Sequence, residues 1–160
     1  MKLAFLLLLS VSAFAEDLTW HGREGVEKYF QVAGAYVDFR PERGRRVRPA
    51  VRFFDSGPRM ATTFPSGLSP VYSDSPAGGN RRALPGGMVV QFSEKLSRQE
   101  VLRRIGLESA ARPLGGQEPA IAWWVETAPG LASVQAAQRV QSREQIVSAE
   151  PDWWLEVSPR

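Results

Sequence analysis

Between residues 86 and 154 the hydrophobic period changes from two to 3.6 and back, twice over. Met88-Val89-Val90-Gln91-Phe92 reads as a strand. Ser97-Arg98-Gln99-Glu100 then reads as a capping box, in which Ser97 accepts from the amide of Glu100 and Glu100 returns to the amide of Ser97. Val101, Leu102 and Ile105 line one face of the helix that follows, and Gly106 stops it. Residues 107–114 give an irregular second strand and residues 115–119 a turn. Residues 120–127 alternate, with Ile121, Trp123 and Val125 on one face, until Ala128-Pro129-Gly130 breaks the run. A second helix is expected over 132–142, with Val134, Ala137 and Val140 inward, and a last strand and tail over 146–157. The order β-α-β-β-α-β places two helices on one face of a four-stranded antiparallel sheet, a ferredoxin-like sandwich within the α+β class. The opposite face is bare, and Trp124 and Trp154 alternate toward it. Such a face on an exported protein is either a binding surface or covered by the rest of the chain.

The preceding residues read as delivery and elaboration. Lys2, an apolar run over 3–9 and Ala13-Phe14-Ala15 make a signal peptide over 1–15, with the mature protein starting at Glu16. The apolar run is too short to span a bilayer, so no membrane association is expected after cleavage. A small β-rich unit over 16–56 follows. Within it Tyr29-Phe30-Gln31-Val32 and Tyr36-Val37-Asp38-Phe39 flank Ala33-Gly34-Ala35 as the arms of a hairpin. Trp20 covers one end, and residues 47–54 form an edge strand because Pro49 interrupts them. Residues 57–85 are dense in Gly, Pro and Ser and read as a linker, with one short extended segment over 68–72.

Composition excludes several classes. There is no Cys and a single His, which leaves no disulfide framework and rules out most structural metal sites; no metal or cofactor is expected. Lys+Arg is 20 against Asp+Glu 17, too balanced to argue for nucleic acid. The basic group Arg43, Arg45, Arg46, Arg48 and Arg52 lacks interleaved aromatics and reads as a solvated turn and strand edge. His21 has no visible nucleophile or orienting partner, so no catalytic set and no enzyme activity are expected.

Val89-Val90-Gln91-Phe92, the helix over 97–106, Ala122-Trp123-Trp124-Val125-Glu126, residues 131–140 and the closing Val147-Ser148-Ala149-Glu150-Pro151-Asp152 together resemble the propeptide (inhibitor) domain of subtilisin-like serine proteases. The resemblance covers residues 86–160, roughly half of the mature chain. The N-terminal unit also looks like the β-rich segment that precedes this domain in some long bacterial subtilases.

The resemblance implies a βαββαβ fold that assists folding of the protease and then inhibits it. Its bare sheet face docks on two helices of the enzyme, carboxylates near the end of the last strand cap those helices, and the tail lies in the active-site cleft. A carboxylate suits a helix N-terminus because the first amides there are unpaired and carry partial positive charge. By position the carboxylates are Glu150 and Asp152. The remaining contacts are Trp153, Trp154, Val157, Ser158, Pro159 and Arg160. The partner is a subtilisin-like serine protease, met in trans because no catalytic domain follows within the sequence. The expected location is secreted or periplasmic. Two other readings stay open: a non-enzymatic exported adhesion or structural module, and the remnant of a truncated subtilase gene.

Overall fold

The computed structural model describes residues 17–22, 25–40, 49–53 and 67–156, which form two antiparallel sheets and two helices, an α+β protein. Residues 1–15, expected to be a signal peptide, lie outside the described residues, and none of the described helices is long and apolar enough to cross a membrane.

The first sheet is built from β1 (Leu18–Gly22), β2 (Gly25–Asp38), β3 (Val51–Phe53), β4 (Leu68–Ser73) and β5 (Arg81–Ala83). Its order is β1-β2-β4-β5, with β3 also paired to β2. Here the expected hairpin over 29–39 is corrected. Residues 29–38 belong to one continuous strand, and the true hairpin partner of β2 is β1, with Trp20 opposite Glu27. Ala33-Gly34-Ala35 makes a bulge rather than a turn: against β4 the register jumps from Gln31↔Tyr72 to Tyr36↔Pro70. Gly34 sits at φ 68, a conformation open to glycine that bends a strand without reversing it. The linker reading also needs correction. Residues 57–66 lie outside the described residues, but β4 and β5 are sheet strands, and every residue of β4 is buried. The extended segment expected over 68–72 is β4, whereas β5, Arg81–Ala83, has no strand pattern of its own. Ser69 is fully buried because its hydroxyl accepts from the amide of Leu84 at 2.9 Å.

The second sheet contains β6 (Met88–Leu96), β7 (Ala111–Pro113), β8 (Ala120–Val125) and β9 (Ile146–Pro151), in the order β7-β8-β6-β9 with every neighbour antiparallel. Helix α1 (Arg98–Ile105) joins β6 to β7, and α2 (Leu131–Gln141) joins β8 to β9. Ser97 caps α1 as read, accepting from Glu100 N at 3.4 Å. The second half of the capping box is replaced: the Glu100 carboxylate turns to Arg103 and Arg104, the latter at 2.8 Å. Those guanidiniums hold the Glu100 carboxyl down to about 2. Gly106 ends α1 in the left-handed region at φ 63.

One core runs through both sheets. Val90, Phe92, Trp123 and Val125 meet Val101 and Ile105 of α1 and Val134, Ala137 and Val140 of α2. Leu18, Trp20, Tyr29, Tyr72 and Leu84 from the first half join the same cluster. Ile121, expected inward, is 44% exposed, because β6 and β8 shift register between Gln91↔Ala122 and Leu96↔Ala120.

The last strand differs most from expectation. It stops at Pro151, and the chain then leaves the second sheet. Residues Trp154–Leu155 form β10, which pairs with β5 in the first sheet: Trp154↔Ala83 and Leu155↔Arg82.

Because Leu84 is fully buried in the shared core, Leu84→Ala should cost about 2–5 kcal/mol. Urea denaturation followed by far-ultraviolet circular dichroism and by tryptophan fluorescence should show one coincident transition, shifted to lower denaturant.

Candidate functional site

Among the described residues, no element packs over the face of the second sheet away from the helices. Residues directly opposite in an antiparallel ladder share a face. Arg112 is opposite Trp124, Trp124 opposite Val89, and Val89 opposite Glu150. These four residues therefore form one row across β7, β8, β6 and β9, spanning about 14 Å at the usual strand spacing. Ala122, Gln91 and Ser148 make the next row. No residue in either row is buried, whereas Trp123, Val90 and Ala149 on the other face are fully covered.

Trp124 is the central feature of the row. Its indole Nε1 donates to Asp152 Oδ2 at 3.1 Å. The Arg112 guanidinium lies over its ring, 4.7 Å from the centroid. Its ring also lies across Gly87, where a Cβ would come within 2.6 Å of it. Gly87 has φ +99, so the same position is closed to side chains by backbone as well as by space. Neighbouring Gly86 has a different reason: its Cβ would meet the backbone oxygen of Thr127 at 2.5 Å. Gly86-Gly87 thus lets β6 start beneath an indole that is held from three sides.

The acidic pair is divided. Glu150 is exposed and stands at the end of the row on β9. Asp152 is half-buried; its amide donates to Gly87 O at 3.0 Å and its carboxylate orients Trp124. The Asp152 carboxylate retains lone pairs for a further donor.

The two remaining tryptophans leave this surface. Trp153 packs on Tyr29, ring centroids 5.0 Å apart, with the Arg82 guanidinium 4.4 Å from the Tyr29 centroid and 5.5 Å from that of Trp153. Arg82 Nη1 donates to the Tyr29 hydroxyl at 2.7 Å, and that hydroxyl donates to Glu27. Trp154, expected on the open face, instead packs edge-on against Phe39 and joins Ala35, Val37, Val71 and Ala83 in a second small cluster. Val157, Ser158, Pro159 and Arg160 lie outside the described residues. So do Arg43, Arg45, Arg46 and Arg48, while Arg52 is exposed on β3. His21 is exposed on β1 opposite Val26. Among the described residues no group of His, Asp and Glu could hold a metal ion.

Arg112 and Gly87 were not singled out from sequence. Arg112 lies in an irregular run whose strand is only three residues long. Gly87 did carry a signal: a glycine pair at a strand start invites a close approach from the neighbouring strand.

No family model matches the chain, and neither a curated protein nor a solved structure matches it.

Two outcomes follow from these contacts. Gly87→Ala forces a methyl into the Trp124 ring at a positive φ and should destabilise by about 1–3 kcal/mol, with a shifted tryptophan emission, in urea denaturation followed by fluorescence. Burial, reinforced by the bond to Glu27, raises the Tyr29 phenol from 10.0 to about 12. The folded chain then holds this proton more tightly than the unfolded one. The resulting stability is complete below pH 10 and is lost as pH rises toward 12. Ultraviolet titration should show a tyrosine step near pH 12, and Tyr29→Phe should remove it.

Proposed function

We propose that this protein is a secreted or periplasmic, propeptide-like partner of a subtilisin-like serine protease, acting in trans as inhibitor, folding helper or both. In this reading residues 86–152 are a ferredoxin-like module and its open face is the docking surface. The observation that carries it is the row Arg112–Trp124–Val89–Glu150, in which, among the described residues, Arg112 and Glu150 are exposed and Trp124 and Val89 half-buried. A sheet with one face packed and one face half-exposed, centred on an immobilised tryptophan, suits a protein partner. Tryptophan loses little side-chain freedom on binding when it is already fixed.

The roles within the surface are redistributed from the sequence-based expectation. Glu150 is the carboxylate placed to meet an unpaired helix N-terminus. Asp152 serves first to hold Trp124. Trp153 and Trp154 support the protein's own structure, which takes them out of the first contact. A protein without enzymatic activity of its own is sufficient for this role.

A second reading has its own observation. The first sheet is completed by the chain's last described strand, which suits an exported structural or adhesion module in which both sheets are one body.

The test is inhibition and refolding of a panel of subtilisin-like proteases by the mature protein. Saturable inhibition of at least one member is expected. Trp124→Ala should weaken it by about 2 kcal/mol or more, and Glu150→Ala by about 1.5–3 kcal/mol. Gln135→Ala, exposed on α2, should change nothing. No inhibition and no refolding assistance across the panel would leave the structural reading.

A further inference from the structure

The geometry points to β10 as an autoinhibitory strap: residues 153–156 occupy the edge of β5 and must unpair from it before they can extend into a partner. This rests on the protease-binding reading for its consequence, but the strap itself is a property of the free protein.

Four observations converge on the segment. Its two strand residues pair with β5 at Trp154↔Ala83 and Leu155↔Arg82, in the sheet opposite to the one the chain has just left. Glu156 N donates to Arg81 O at 2.9 Å, and the Glu156 carboxylate reaches Arg81 Nη1 at 3.5 Å. Trp153 lies on Tyr29 and beside Arg82. Trp154 lies on Phe39. The segment is thereby the strand that a β-augmenting peptide would otherwise supply to β5.

The same observations show where the strap is weak. Two paired residues make a very short strand. Leu155 is 53% exposed, and the Arg81–Glu156 pair is partly exposed and open to screening by salt. The buried Nε of Arg82 has no hydrogen-bond partner, so closure leaves one donor unsatisfied. Above it, β9 is paired along its length with the central strand β6. Opening therefore stops at Asp152, whose amide is bonded to Gly87. Segments held by few contacts open locally at far lower cost than the whole fold.

A partner that needs residues 153–156 extended binds only the open form. Its apparent affinity is then reduced by the fraction of molecules that are open.

A reversible covalent lock tests this within one molecule. Glu156 N bonds to Arg81 O, so Leu155 and Arg82 form the intervening non-hydrogen-bonded pair. Such pairs have Cα atoms about 4.5 Å apart, inside the range a disulfide spans. The chain has no Cys, so Arg82→Cys with Leu155→Cys can form only that bond. Amide exchange at Glu156 should be at least about tenfold slower oxidised than reduced, and at Val90 unchanged. In the wild type Glu156 should exchange faster than Val90. Inhibition of a responsive protease should be about tenfold stronger reduced than oxidised. Equal exchange at Glu156 and Val90 in the wild type overturns the strap, because the segment then opens only with the whole protein. Faster exchange with equal inhibition in both redox states overturns autoinhibition. Redox-dependent exchange with no inhibition in either state, or by wild type, overturns the protease reading while the strap stands.

Discussion

The structure depends on one corner, where two antiparallel partners cross together from one sheet to the other. On one side β5 passes into β6 through residues 84–87; on the other β9 passes into β10 through Asp152 and Trp153. The partners are matched at both ends, Trp154↔Ala83 in the first sheet and Met88↔Pro151 in the second. Four residues on one side face two on the other, so the ribbon has to bend. Leu84 fills the inside of the bend; its amide donates to Ser69 and its carbonyl accepts from Gly130 at the start of α2. Gly86 and Gly87, at positive φ in the same four-residue connection, let the chain turn there. Without this corner there is no reason for Leu18, Trp20 and Tyr29 to share a core with Phe92 and Trp123.

The second half of the chain was legible because its elements are periodic and bounded. The Ser97 cap, the Gly106 stop and the inward faces of both helices all stand where the pattern puts them. Trp124 is on the open face for the same reason: alternation about the buried Trp123 and Val125 leaves it no other side. What failed was anything set by pairing between distant segments. Ala33-Gly34-Ala35 offers a turn locally, yet β4 pairs on both sides of it and makes it a bulge. Residues 68–72 read as extended, but nothing in a stretch of loop composition shows what they pair with or that Arg81–Ala83 is a strand beside them. Trp154 follows the alternation of β9 in sequence, but alternation cannot report a change of sheet.

Electrostatics in this molecule mostly fixes side chains in place. An exposed ion pair such as Lys28–Asp17 contributes little to stability at its degree of exposure. Arg112 and Arg82 act differently, each laid against indole or phenol rings. Arginine suits both places because its planar cation is weakly hydrated and stacks, which lysine does not reproduce.

These two aromatic sites are reached by consecutive residues at the corner. Asp152 carries the bond to Trp124, and the next residue, Trp153, carries the contact to Tyr29. The Trp153–Tyr29 pair contributes about 0.5–1.5 kcal/mol beyond burial, and the Arg82 contacts about 0.5–2 kcal/mol. Contributions of that size hold a short strand in place without making it permanent. The Asp152 amide bond to Gly87 lies between the two sites, and Gly87 in turn lies under the Trp124 ring. That bond holds Asp152 in place, so β10 can part from β5 while Asp152 keeps its bond to Trp124. The open face and the terminal strand are anchored at one point, the Asp152–Gly87 bond.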